Sequence, residues 1–129
     1  MNYCVPVSYN VVVVSCLFKR FSTHYKPKNY NQIITIVCEV TGITELQIKG
    51  KSKKREIVEA RQIAMVLIRL YNPKMIYKQI GKLFSNRDHS TVMYSLKTVE
   101  DLIKTNIAFR QKFQLAENAI NKTIRRKIA

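Results

Sequence analysis

Ile80-Gly81-Lys82-Leu83-Phe84-Ser85-Asn86-Arg87-Asp88-His89-Ser90-Thr91-Val92 is the stretch on which the fold turns. Ile80, Leu83 and Phe84 suit the inner face of a short helix, and Ser85-Asn86 is a polar pair fit for a tight turn. Asp88 stands where a second helix begins, since its carboxylate can accept the free amides near Thr91. In a helix-turn-helix of this kind the leading residues of the second helix face a DNA groove. His89, Ser90 and Thr91 can exchange hydrogen bonds with base edges, and the threonine methyl can pack on a thymine methyl. Arg87 and the free amides of the first turn suit a phosphate. An ordinary helical hairpin with a solvated cap fits the same residues, so the turn alone leaves both readings open.

Helical periodicity extends in both directions. Downstream, Val92, Leu96, Val99 and Ile103 form an inward stripe of a helix running to about Thr105, with Ser90, Tyr94 and Lys97 on the opposite face. The residues from Ile107 to Ile128 read as a final helix with a basic end. Upstream, Lys74 to Phe84 reads as the helix before the turn, with Ile76 also inward, and Asn72-Pro73 separates it from a longer one. That longer helix, Glu56 to Tyr71, has Ile57, Ala60, Ile63, Ala64, Leu67, Ile68 and Tyr71 at spacings of three and four, which predicts a central core helix. A first helix covers roughly Asn29 to Thr41 and stops at Gly42. Thr44-Glu45-Leu46-Gln47 has capping-box spacing and predicts a short helix with Leu46 and Ile48 inward. Residues 1–28, with the run Val11-Val12-Val13-Val14, read as a poorly ordered extension preceding a domain over 29–129.

Composition narrows the chemistry. Lysine and arginine number 23 against 8 acidic residues, a net charge of +15 over 129 residues, which suits a polyanion. The basic residues lie in several segments rather than along one amphipathic face, which favours nucleic acid over a membrane surface. Cys4, Cys16 and Cys38 contain no C-x-x-C pair, so neither a disulfide framework nor zinc is expected. A cytoplasmic, nucleoid-associated location follows, with no cofactor. Lys49, Lys51, Lys53, Lys54 and Arg55 make a basic loop that can follow a phosphate backbone or enter a narrow minor groove; a solvated charge run is the plain alternative. Gly50-Lys51-Ser52 mimics the end of a phosphate-binding loop, but Glu45 stands where the first glycine belongs and no strand precedes it, so ATP binding is rejected. His89 has only His24 as a fellow histidine and lacks a carboxylate or cysteine cluster at ligand spacing, so no catalytic or metal site is expected.

Arg87-Asp88-His89-Ser90-Thr91-Val92, preceded by Ile80-Gly81 and Phe84, resembles the R-D-H-[ST]-T-V signature of the C-terminal DNA-binding domain of the bacterial replication initiator DnaA. Arg55-Glu56-Ile57-Val58-Glu59-Ala60-Arg61-Gln62-Ile63-Ala64-Met65 is similar to a second block of that domain, and the resemblance covers roughly Tyr30 to Lys122. It implies an all-α domain with an extended, Trp-repressor-like helix-turn-helix that binds short asymmetric origin boxes in double-stranded DNA as a monomer. By that similarity Asp88, His89, Ser90 and Thr91 contact bases in the major groove, Arg61 and Gln62 contact phosphates or base edges, and Lys53 or a neighbour reaches the minor groove. Tyr94 replaces the family's usual histidine, and Ser85 and Asn86 stand where glycine is common. The family's ATPase domain is absent from these residues, so binding without catalysis is expected. A full-length initiator or another replication protein is a candidate partner. A transcriptional or mobile-element regulator on the same fold, or a protein-interaction adaptor that has lost DNA binding, remain as alternatives.

Overall fold

A computed structural model describes residues 29–128, without the side chains at 124, 125, 127 and 128. The expected N-terminal extension, its valine run, Cys4, Cys16 and His24 lie outside the described residues. The described residues form six helices: α1 Tyr30–Thr41, α2 Glu45–Lys49, α3 Arg55–Tyr71, α4 Tyr77–Leu83, α5 His89–Thr105 and α6 Ile107–Ile128. The all-α fold expected from the sequence is therefore the fold observed.

Local chemistry sets the ends of these helices. Asn29 Oδ1 accepts the Asn31 amide at 2.9 Å to start α1, and Gly42, at φ 73°, closes it with its N–H on the Cys38 carbonyl. Thr44 and Gln47 form the reciprocal box at the start of α2, with bonds of 3.3 and 3.0 Å. Only Ile48 of α2 is buried, however, and Leu46 is 87% exposed, which corrects the expectation that both point inward. Two residues apart on a helix are about 200° apart around its axis, so a single-turn helix cannot aim both at one core.

The central helix α3 is buried more completely than one amphipathic face requires. Met65, Val66 and Leu70 join Ile63, Ala64, Leu67 and Ile68 in the core, because α1 and α5 both pack against α3 while α6 covers α1 and α5. Beyond Asn72, Arg69 Nη1 donates to the carbonyls of Pro73 and Met75 at 2.7 and 2.6 Å, and its guanidinium lies 5.0 Å from the centre of the Tyr77 ring. That tie holds residues 73–75 as a turn. Accordingly α4 starts at Tyr77 rather than Lys74, and Ile76 is an extended N-cap residue, 56% exposed, instead of an inward helix position. Phe84, Val92, Val99 and Ile103 then join the core with Phe109, Phe113, Ala116 and Ile120 of α6. Leu96 is half-buried against that core, whereas Ser95 beside it is buried and satisfied by the Thr91 carbonyl at 2.8 Å.

Candidate nucleic-acid interface

The turn between α4 and α5 depends on one glycine and two left-handed residues. Ser85 and Asn86 have φ of 60° and 54°, a conformation that reverses the chain within two residues. The reversal brings Arg87 back over α4, where its N–H donates to the Gly81 carbonyl at 2.8 Å. A Cβ on Gly81 would lie 2.1 Å from the Arg87 carbonyl oxygen, so only glycine fits beneath the turn.

Asp88 takes the N-cap position of α5 but does not cap the backbone with its side chain, contrary to expectation. The Thr91 amide goes to the Asp88 carbonyl at 3.0 Å. The Asp88 carboxylate is drawn instead to its neighbours, accepting from Ser90 Oγ at 2.5 Å and pairing with His89 Nδ1 at 3.0 Å. The Ser90 hydroxyl, with His89 adding to it, holds the Asp88 carboxyl below its ordinary range. Asp88, His89 and Ser90 are all exposed, forming a polar patch with an ionised acceptor and, on the imidazole, Nε2 left for an external partner.

The basic loop is fixed from beneath. Arg61 of α3, only 5% exposed, donates from Nε to the Ile48 carbonyl at 2.8 Å. Its Nη2 serves the carbonyls of Gly50, Ser52 and Gln47 at 2.9, 3.1 and 3.4 Å. Arg87 Nη2 reaches the same Gly50 carbonyl at 3.1 Å, and the Ser85 hydroxyl donates to the Lys49 carbonyl. Burial first, and the Arg87 charge second, lower the pKa of Arg61. Two of the five loop cations also have acidic partners: Lys49 pairs with Glu45 at 2.6 Å and Arg55 with Glu59 at 3.0 Å. Lys51, Lys53 and Lys54 are exposed and make no ion pair among the described residues.

These elements meet at a groove of about 560 Å³ lined by Lys53, Arg61, Gln62, Arg87, Thr91 and Tyr94. Residues far apart in sequence thus share one surface, with Asp88, His89 and Ser90 beside it. Tyr94 is 69% exposed, an aromatic face open to a partner. Lys54, Arg55 and Lys97 are exposed but do not line the groove. Lys51 and Asn86 do line it; their charge and turn character were legible, but their position in the groove follows only from the fold. Tyr71, Phe84, Phe109 and Phe113 are buried in the core. Burial pushes the Cys38 thiol up, away from a reactive thiolate. Among the described residues no three histidine, cysteine or acidic side chains gather at metal-binding distance, and no helix is long and apolar enough to cross a membrane.

A family model described as the bacterial DnaA protein helix-turn-helix matches residues 30–99. The chromosomal replication initiator protein DnaA of Picosynechococcus sp. is 37% identical over 100 residues, covering 78% of this chain and 22% of that protein. The initiator of Treponema pallidum is 30% identical over 123 residues, 94% of this chain and 26% of its own length. That of Chlorobaculum tepidum is 44% identical over 78 residues, covering 60% of this chain and 16% of that protein. The chain therefore spans between 16% and 26% of the length of these three relatives. With the helix-turn-helix geometry and the matched span in agreement, the chain belongs to the bacterial DnaA helix-turn-helix family, a family of DNA-binding domains.

Proposed function

We propose that residues 29–129 act as a sequence-specific double-stranded DNA-binding module for short, asymmetric boxes of the replication-origin type, working by recognition and without ATP hydrolysis. The observation that carries this reading is the convergence of the basic loop, the turn and the start of α5 on one groove. Seated over it, DNA meets Lys53 and Lys54 on one side and α5 on the other. Arg55 and Lys97 add charge at the rim, and Arg87 and Gln62 meet the backbone between. Asp88, His89, Ser90, Thr91 and Tyr94 read the major groove. An ionised Asp88 suits a cytosine amino group, and the Thr91 methyl suits a thymine methyl. The module binds as a monomer, since one groove serves one asymmetric box. Its place is the nucleoid of the cytoplasm, where a full-length initiator is its natural competitor or companion.

The test is Thr91→Ala, measured on a duplex enriched by the wild-type chain from a random pool and on a scrambled duplex of equal length. Affinity for the enriched duplex falls by about 1 to 3 kcal/mol, the range of one good base contact, while the scrambled duplex is bound as before. Equal losses on both duplexes would remove Thr91 from base recognition.

A further inference from the structure

We propose that Arg61 is a positioning residue for DNA binding: with Arg87 it locks the basic loop to the recognition turn through main-chain carbonyls, rather than holding a phosphate itself. This inference rests on the DNA-binding reading above. Arg61 is buried, and its Nε and Nη2 are directed at the carbonyls of residues 47, 48, 50 and 52. These carbonyls lie at the end of a five-residue helix and in the loop after it, where few intrahelical donors are available. A planar guanidinium can spread its N–H groups over such a fan, whereas an ammonium is a single point of charge. With the carbonyls turned inward, the side chains of Lys51, Lys53 and Lys54 are left on the outside.

The recognition turn grips the same short segment from the other side. Gly50 O accepts from Arg61 at 2.9 Å and Arg87 at 3.1 Å, and Ser85 Oγ donates to the adjacent Lys49 carbonyl. Two like charges share one acceptor there because several carbonyl dipoles converge on them. The Arg87 main chain is itself seated on Gly81, immediately before Asp88 and His89. The distance between the loop lysines and the base-reading residues is consequently set inside the protein before DNA arrives.

The test compares the full chain with Arg61→Lys, Arg61→Ala, the double variant Lys53→Ala/Lys54→Ala, and the triple variant that adds Arg61→Lys. Affinity is read by fluorescence anisotropy on the pool-enriched duplex, and helicity by circular dichroism. Arg61→Lys keeps the charge and still loses roughly tenfold in affinity, as much as Arg61→Ala, yet costs much less when Lys53 and Lys54 are already alanine. If the position-61 variants do not fold, Ser85→Ala removes an exposed turn-to-loop bond and shows the same sub-additivity with the lysine pair at smaller size. Wild-type affinity in Arg61→Lys, or losses that add in full with the lysine pair, would mean a direct phosphate contact and overturn the proposal; so would full additivity in the Ser85→Ala series. If the wild-type chain binds no duplex at all, the DNA-binding reading itself fails and this inference falls with it.

Discussion

A methyl group at position 81 has no room, because it would stand 2.1 Å from the Arg87 carbonyl oxygen, which belongs to the main chain and cannot swing aside. Gly81→Ala therefore lifts the turn off α4. A loss of about 1 to 3 kcal/mol is expected in urea unfolding, and an unchanged midpoint would show that the turn accommodates the methyl. The two left-handed residues make a finer comparison. Asn86→Gly relieves positive-φ strain at a residue whose side chain makes no hydrogen bond among the described residues, and a gain of about 0.5 kcal/mol is expected. Ser85→Gly relieves similar strain but loses the hydroxyl bond to the Lys49 carbonyl, worth about 1 kcal/mol, so a net loss of about 0.5 kcal/mol is expected. A clear gain in Ser85→Gly would show that this bond contributes little. At this scale the sequence was legible in residue type but not in partner. Ser85-Asn86 announces a turn, yet nothing in the chain says that Ser85 reaches 36 residues back to Lys49, or that Asp88 prefers Ser90 and His89 to the backbone.

Glu59 ties α6 to α3. One carboxylate oxygen accepts from Arg55 Nε at 3.0 Å within α3, and the other accepts from Lys112 Nζ of α6 at 3.1 Å. Burial raises the Glu59 carboxyl, but the hydrogen bonds from Arg55 and Lys112 outweigh it, and the net pKa lies below the ordinary value of 4.5. Its stabilising contribution is thus fully present above that value and is lost as pH falls through the lower, folded pKa. Glu59→Gln should cost up to about 1 kcal/mol at neutral pH, since Lys112 is half exposed to solvent. The gap between the variant and wild-type melting temperatures should close at strongly acidic pH. A gap that persists there unchanged would show that packing, not charge, sets the difference. The helices themselves were largely readable, because three-and-four spacing reports burial directly. The errors fell where a single turn or an outside tie decides orientation. Leu46 lost the core to Ile48 within one turn, and Ile76 was kept out of α4 by a turn whose carbonyls Arg69 holds.

The whole molecule divides its cations by chemistry. Arg61, Arg69, Arg87 and Arg110 donate to main-chain carbonyls, so much of the arginine complement holds loops and helix ends together. Lys51, Lys53 and Lys54 of the basic loop are left to face solvent. Net charge alone pointed to a polyanion, but it could not show which cations bond to the main chain; Arg61, matched to a DNA-contacting position by resemblance, is buried with Nε and Nη2 on loop carbonyls. If Lys53 and Lys54 each neutralise a phosphate, replacing both by alanine weakens binding to every duplex and lowers the slope of log affinity against log salt by about 0.9 per contact. An unchanged slope would take the loop out of the interface. The central claim, that the helix-turn-helix reads sequence in double-stranded DNA, is tested most directly by selecting bound duplexes from a random pool with the wild-type chain. Enrichment of one short asymmetric box, lost with Thr91→Ala, is the predicted result; a pool that stays random through successive rounds would contradict it.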